Sequence, residues 1–274
     1  EQEIKNIESS DSITAEEKAQ RIGELKETVS RNNSLAKAMD DFREMGRLVR
    51  AGEVDEVVDS LRKPLKKMGV NIEVVDNVEA ADGMKSGAYF DKSTNTIKVS
   101  RDWNGVENVV KLELAADGNG FVLNSGKGVS FDRAVTQTIA HEIAHADSGL
   151  TMDFIKAVAG TQYDAFDLKG RLEHPDDRSW KSEDAQKEKN WRRYVDAYTE
   201  QAMLEMKGTE EQRRASAEKV VNDAYIFEEI MADMFGAAVD DMGHSSRAGE
   251  NIFWAMNRNK PGIIKRILNA LERF

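Results

Sequence analysis

The sequence contains no cysteine and only three prolines among its 274 residues. The absence of cysteine excludes disulfide-bonded scaffolds, cysteine-ligated zinc sites, thiol proteases and CxxC redox proteins. The scarcity of proline, together with much alanine, glutamate and lysine, favours helices, because proline interrupts helical hydrogen bonding and the other three residues have high helix propensity. We therefore expect a predominantly helical protein.

Basic residues are scarce relative to acidic ones. The chain has 39 lysines and arginines against 50 aspartates and glutamates, which gives a net charge of −11. Because an acidic surface repels phosphate groups, we expect no nucleic-acid partner and no adhesion to an anionic membrane. No apolar run approaches the roughly 20 residues that a membrane span needs, so we expect no membrane span. The compartment stays open between the cytoplasm and secretion.

The spacing of apolar residues divides the chain into helical and strand-rich regions. Residues 1–68 show helical spacing and predict several separate helices, the first opened by a capping box between Thr14 and Glu17. Residues 71–124 alternate polar and apolar side chains and contain two hairpin-like turns. They predict a small, mostly antiparallel sheet. Helical periodicity then resumes, so the expected fold class is α+β.

We expect an N-terminal helical region over residues 1–68 and a second domain over residues 69–274. The stretch at about 150–220 is long and polar, and it predicts a helical insertion whose charges form a solvated face. Apolar residues recur in 263–271, so a final helix is expected to pack back on the core. The N-terminal helices are either a packed cap or a surface for a protein partner.

One short segment carries a pattern that metal chemistry needs: His141-Glu142-Ile143-Ala144-His145, an HExxH motif. Residues four apart share one face of a helix, so His141 and His145 can offer two imidazole nitrogens to one metal ion. Glu142 would then lie beside the ion, where it can take a proton from a bound water. The competing interpretation is two surface histidines on an amphipathic helix.

A catalytic zinc needs a third protein ligand and one open position. His174 and His244 stand in no supporting pattern, whereas Glu229 and Asp233 are four residues apart among apolar neighbours. Glu229 can bind the metal, and Asp233 can accept the free ring N–H of a ligand histidine and so fix its tautomer. A solvated acidic face is the alternative, and it explains Glu228 better than it explains this pair.

Together the two motifs form one pattern that ends on an aromatic residue and a glycine: His141-Glu142-x-x-His145, then Glu229-x-x-x-Asp233-x-Phe235-Gly236. This pattern resembles the gluzincin metallopeptidases, of which thermolysin is the best known. The resemblance implies a zincin-like fold, in which the sheet packs on the active-site helix and a glutamate helix crosses that helix. It also implies that Glu229 rather than Glu228 is the ligand and that Asp233 orients His141. The chain resembles, in addition, the compact zincin modules of phage and mobile-element polyproteins and of bacterial toxins.

By this resemblance we expect a zinc-dependent endopeptidase that acts on a protein or peptide substrate. One Zn²⁺ would be held by His141, His145 and Glu229, and this ligand set favours zinc without fixing the ion. A metal-activated water would attack the peptide carbonyl, with Glu142 as general base. The chain shows no GxMxN segment of the kind that gluzincin aminopeptidases carry, which favours an endopeptidase.

Several features of the expected site stay open. A further donor would steady the oxyanion, and the candidates are Tyr225, one turn before the glutamate, and His244, expected just beyond the end of that helix. In zincins an edge strand pairs with extended substrate, and residues 89–100 or 109–123 would supply it.

Two other functions also remain as alternatives. One is a zincin-like binding module without catalysis. The other is a zinc hydrolase that acts on a non-peptide amide or ester. The presence of Glu142 speaks against the binding module, because a structural metal site needs no base.

Overall fold

The fold is α+β and predominantly helical, as the sequence predicts. The computed structural model describes residues 2–10, 13–79, 85–104, 111–114, 121–124, 130–174, 180–221 and 223–244. The helices are α1 (Gln2–Glu8), α2 (Ala15–Arg50), α3 (Val54–Lys67), α4 (Phe131–Ala146), α5 (Ser148–Val158), α6 (Leu168–Glu173), α7 (Ala185–Glu205), α8 (Glu210–Val220) and α9 (Asp223–His244). The strands are β1 (Asn71–Val75), β2 (Val78–Glu79), β3 (Lys85–Ser86), β4 (Ala88–Asp91), β5 (Thr96–Ser100), β6 (Lys111–Leu114) and β7 (Phe121–Asn124).

Helix α2 is longer than the sequence suggests. It begins at the expected capping box, in which the Thr14 hydroxyl accepts from the Glu17 N–H and the Glu17 carboxylate accepts from the Thr14 N–H. It then runs unbroken for 36 residues, so the expectation of separate helices in this stretch is wrong. The polar run at 30–34 contains no proline or glycine that would interrupt the helical hydrogen bonds. The helix ends at Arg50, and the chain turns at Gly52, whose φ of +79° favours glycine.

The main sheet has three strands in the order β1-β5-β4. Strands β4 and β5 form the antiparallel hairpin that the sequence predicts, while β1 runs parallel to β5, so the sheet is mixed. Strands β6 and β7 form a second antiparallel hairpin, and β2 pairs with β3. Ala88 and Phe90 of β4 are buried, and this strand packs on α4. The sheet therefore lies directly beside the helix that carries the HExxH motif.

Helices α4 and α9 cross at close range in the core. A Cβ on Gly236 of α9 would lie 2.7 Å from the backbone oxygen of Gln137 on α4, so only glycine permits this approach. The fully buried Asp240 of α9 accepts hydrogen bonds from Arg133 and Gln137 of α4. These contacts fix how the two helices meet, and thereby fix the relative positions of the side chains one and two turns away.

The stretch at 150–220 folds into helices α5 to α8, and part of it enters the hydrophobic core. Phe154 of α5 and Tyr194 of α7 are fully buried, whereas charged residues such as Lys181 and Arg193 are exposed. The division of the chain at residues 68 and 69 stays a prediction, and the helix expected over 263–271 lies outside the described residues. In the part of the chain that the structure describes, no helix has the length and apolarity that crossing a bilayer requires.

Candidate metal site

Helix α4 presents both histidines of the HExxH motif on one side. The Nε2 atoms of His141 and His145 lie 3.0 Å apart, one helical turn from each other. The opposite side of the helix carries Val135, Ile139 and Ile143, which are buried and hold the helix in the core. The two imidazoles therefore point the same way from a rigid support.

Helix α9 brings Glu229 to the same point. Glu229 Oε2 lies 3.3 Å from His141 Nε2, and Glu229 Oε1 lies 3.5 Å from His145 Nε2. The three side chains keep only 12–15 % of their surface exposed. The neighbouring Glu228 instead points to solvent and pairs with Lys92 at 2.9 Å. The group of His141, His145 and Glu229 could hold a metal ion.

The spacing of these ligand atoms fits a zinc ion. Zinc bonds of about 2.0–2.1 Å at tetrahedral angles place neighbouring ligand atoms about 3.4 Å apart. The two Nε2 atoms lie 3.0 Å apart, and the two oxygens of Glu229 lie 3.3 and 3.5 Å from them, Oε2 from His141 and Oε1 from His145. Two imidazoles and a carboxylate are ligands that zinc takes in catalytic sites, although other divalent transition metals accept the same set.

His141 and Glu229 shift each other's pKa values toward their charged forms. Burial lowers the pKa of His141, but the charges and hydrogen bonds of Asp233 and Glu229 outweigh that effect and hold the pKa well above its usual value. Burial raises the pKa of Glu229. The hydrogen bonds and charges of the two histidines have the larger effect, so the pKa lies below its usual value. The carboxylates of Asp233 and Glu229 therefore favour positive charge at this point, and a metal cation would supply such a charge.

Glu142 is buried and is held by the sheet. Its Oε2 accepts a hydrogen bond from the backbone N–H of Phe90 in β4 at 2.7 Å. Burial raises the pKa of Glu142 above its usual value, although the charges of His141 and His145 lower it in part. A carboxyl group whose pKa is raised above its usual value is suited to taking up and releasing a proton near neutral pH.

Asp233 receives three hydrogen bonds. Its Oδ1 lies 2.7 Å from His141 Nδ1, and because an ionised carboxylate only accepts, the ring proton belongs on Nδ1. Its Oδ2 accepts from the hydroxyl of Tyr194 and, at 3.0 Å, from the hydroxyl of Tyr198. A neutral His141 with its proton on Nδ1 keeps Nε2 free to bind a metal.

Tyr194 and Tyr198 belong to the site, although no motif in the sequence marks them. Their rings stack with centroids 4.8 Å apart, and the Tyr198 hydroxyl also lies 3.4 Å from Glu229 Oε2. Burial, together with the charge of Asp233, raises the pKa of both tyrosines well above its usual value, so both hydroxyls remain donors. The available signal was the spacing, because two tyrosines four residues apart lie on one face of a helix.

The remaining candidates lie around the edge of the site or outside it. Tyr225 packs edge-on against Tyr198, with ring centroids 6.2 Å apart, and its role as a donor to the oxyanion stays a prediction. His244 is the last residue of α9, so the helix continues through the expected glycine cap, and its side chain lies outside the described part of the structure. His174 is exposed and stacks on Trp180 at the end of α6, apart from the metal ligands.

Comparison of the chain with family models, with curated proteins and with solved structures gives no match. The likeness to gluzincins therefore rests on the motif residues alone.

Proposed function

We propose that this protein is a zinc-dependent endopeptidase of the gluzincin type. The observation that carries the proposal is the convergence of His141, His145 and Glu229, whose ligand atoms, one from each residue, all lie within 4.8 Å of one another. Two of these residues flank Glu142, a buried carboxyl group of raised pKa. A structural metal site needs ligands alone, whereas this arrangement also supplies a proton acceptor.

Each side chain has a distinct task in the proposed reaction. A zinc ion bound by His141, His145 and Glu229 would lower the pKa of a water molecule and polarise the substrate carbonyl. Glu142 accepts a proton from the attacking water and later delivers it to the leaving amine. Asp233 holds His141 in the tautomer that leaves Nε2 free.

The sheet edge beside Glu142 favours a peptide over a small amide or ester. Strand β4 lies at one end of the three-stranded order, and the Phe90 N–H points to Glu142 rather than to β5. An extended peptide that added to this edge would form main-chain hydrogen bonds and run past Glu142. A small ester has no peptide main chain with which to form these hydrogen bonds.

The metal content of the purified protein tests the ligand set. We expect one zinc per chain in the wild type and a loss of zinc in His141→Ala, His145→Ala and Glu229→Ala. Glu228→Ala is the matched control, because it removes the exposed neighbouring carboxylate and should leave zinc unchanged. Equal zinc content in Glu229→Ala and Glu228→Ala would contradict the proposed site.

Hydrolysis of a peptide library tests the reaction. We expect the zinc-loaded wild type to cleave internal peptide bonds and Glu142→Gln to lose at least about 100-fold in rate, because the amide cannot accept the proton. The variant should keep its zinc and its melting temperature. Cleavage only of small esters or amides would identify the other zinc hydrolase, and full zinc occupancy with no hydrolysis of any substrate would identify a binding module.

A further inference from the structure

Helix α7 contributes to the metal site from a part of the chain that carries no motif. Tyr194 and Tyr198 place both hydroxyls on Oδ2 of Asp233, whose Oδ1 faces His141 Nδ1. A continuous path of hydrogen bonds thus runs from α7 through Asp233 to the imidazole that would bind the metal. We propose that Tyr194 and Tyr198 are positioning residues of this metal site, which act through Asp233 on His141.

The tyrosine pair is itself held rigidly. The two rings stack on each other, Phe166 packs edge-on against Tyr194 at 5.9 Å between centroids, and Tyr225 does the same against Tyr198. Both tyrosines are buried, and each ring has only two torsion angles to fix. The hydroxyl positions are therefore set by packing before any metal binds, and this is what a positioning group requires.

The burial of Asp233 explains why its second oxygen depends on the tyrosine hydroxyls. The side chain of Asp233 is only 8 % exposed, so water reaches it poorly and its oxygens depend on protein donors. His141 serves one oxygen, and the tyrosines serve the other. Without the hydroxyls, Oδ2 would be buried with no donor, and the carboxylate would turn toward other donors and lose its alignment with His141 Nδ1. The imidazole would then no longer be fixed toward the metal.

Tyr198 also limits the repulsion between the two carboxylates of α9. Its hydroxyl lies 3.0 Å from Asp233 Oδ2 and 3.4 Å from Glu229 Oε2. Like charges four residues apart on a helix repel each other, and a donor between them reduces that cost. We therefore expect Tyr198 to matter more than Tyr194 for the position of Glu229.

The test measures zinc affinity by competition with a chromophoric chelator, for the full chain carrying Tyr194→Phe, Tyr198→Phe or both. Phenylalanine keeps the ring and removes only the hydroxyl. We expect the double variant to bind zinc about 10–100-fold more weakly, which is the usual loss when a partner of a metal ligand is removed. The control is Tyr163→Phe, which removes the hydroxyl of a buried tyrosine between α5 and α6 and should leave zinc affinity unchanged.

A purely structural role would lower the melting temperature and leave zinc affinity as it is, and that result would overturn the inference. A double-mutant cycle gives the sharper readout. If the tyrosines act through Asp233, the Phe substitutions should change zinc affinity by less than about threefold in an Asp233→Asn background. The visible spectrum of the cobalt-substituted double variant should also change, because the ligand geometry around the ion is less fixed.

The inference depends on the metal site of the proposed function, but its readout does not depend on peptide hydrolysis. Zinc binding that is equal in the wild type and the double Phe variant would overturn the inference and leave the proposed endopeptidase standing. Zinc binding weakened in the variant, with no hydrolysis by the wild type, would support the inference and overturn the endopeptidase. A wild type that binds no zinc would overturn both.

Discussion

Asp233 and Glu188 are two inward-facing carboxylates that link helices, and each is met by several donors. Asp233 accepts from His141, Tyr194 and Tyr198. Glu188 of α7 accepts from Arg171, from Arg192 and from the backbone N–H of Ser182. Burying an ionised carboxylate without such donors would cost several kcal/mol, so the donors decide whether these residues can face inward at all.

The hydrogen bonds of Glu188 make its contribution to stability depend on pH. Burial raises its pKa, but the bonds from Arg192 and Ser182 and the charge of Arg171 lower it below its usual value. A group whose pKa is lowered on folding adds stability above its unfolded pKa of about 4.3, and this stability is lost as the pH falls toward the folded value.

We therefore expect Glu188→Gln to lower the free energy of unfolding by about 1 kcal/mol at pH 7 and by less at pH 3.5. Urea denaturation at the two pH values measures the difference. The exposed Glu183→Gln should change neither value. If Glu188→Gln lowered the free energy of unfolding by the same amount at both pH values, the charge of Glu188 would contribute nothing to stability.

At the scale of elements, the site depends on how closely α4 and α9 cross. The ligands His141 and Glu229 lie on different helices, so their separation of 3.3 Å exists only at one crossing geometry. Gly236 sets that geometry because its missing side chain lets the helices approach. The ion pair of Arg133 with Asp240 holds the crossing one turn further along α9.

Gly236→Ala should push the two helices apart. The added methyl group would lie 2.7 Å from the Gln137 oxygen, which is backbone and cannot move aside cheaply. We expect a loss of about 1–3 kcal/mol in the free energy of unfolding, measured by urea denaturation, and weaker zinc binding.

The matched control is Gly23→Ala in α2, where a Cβ would meet nothing within 4 Å. Alanine should stabilise that helix by up to about 1 kcal/mol, because it has the higher helix propensity. If both alanine variants had the same stability and the same zinc affinity, the crossing at Gly236 would not control the site.

At the scale of the whole molecule, the metal ligands lie on two helices against which several other elements pack. α2 packs on α4 and α9, the sheet packs on α4 through β4, and α7 reaches α9 through its tyrosines. The ligands come from residues 88 positions apart in the chain, His141 and Glu229. An ion bound there would join α4 to α9 and would oppose their separation during unfolding.

Zinc should therefore stabilise the folded chain. At a free zinc concentration of about 1,000 times the dissociation constant, the gain is about 4 kcal/mol, provided that the unfolded chain does not bind zinc. We expect a melting temperature that rises by several degrees with zinc and falls again with a chelator, as measured by calorimetry. In Glu229→Ala the melting temperature should not respond to either. A wild-type melting temperature that is independent of zinc would contradict the site.

The features that depend on short-range periodicity can be predicted from the sequence. The capping box of α2, the β4–β5 hairpin and the helical setting of HExxH all follow from residues a few positions apart. Tertiary structure decided the rest: the parallel pairing of β1 with β5, the packing of α7 against α9, and the hydrogen bonds of Tyr194 and Tyr198 to Asp233. The physical reason is distance along the chain. Local spacing fixes which side chains share a face of one helix, whereas contacts 35 to 92 residues apart depend on how every packed layer fits against the others.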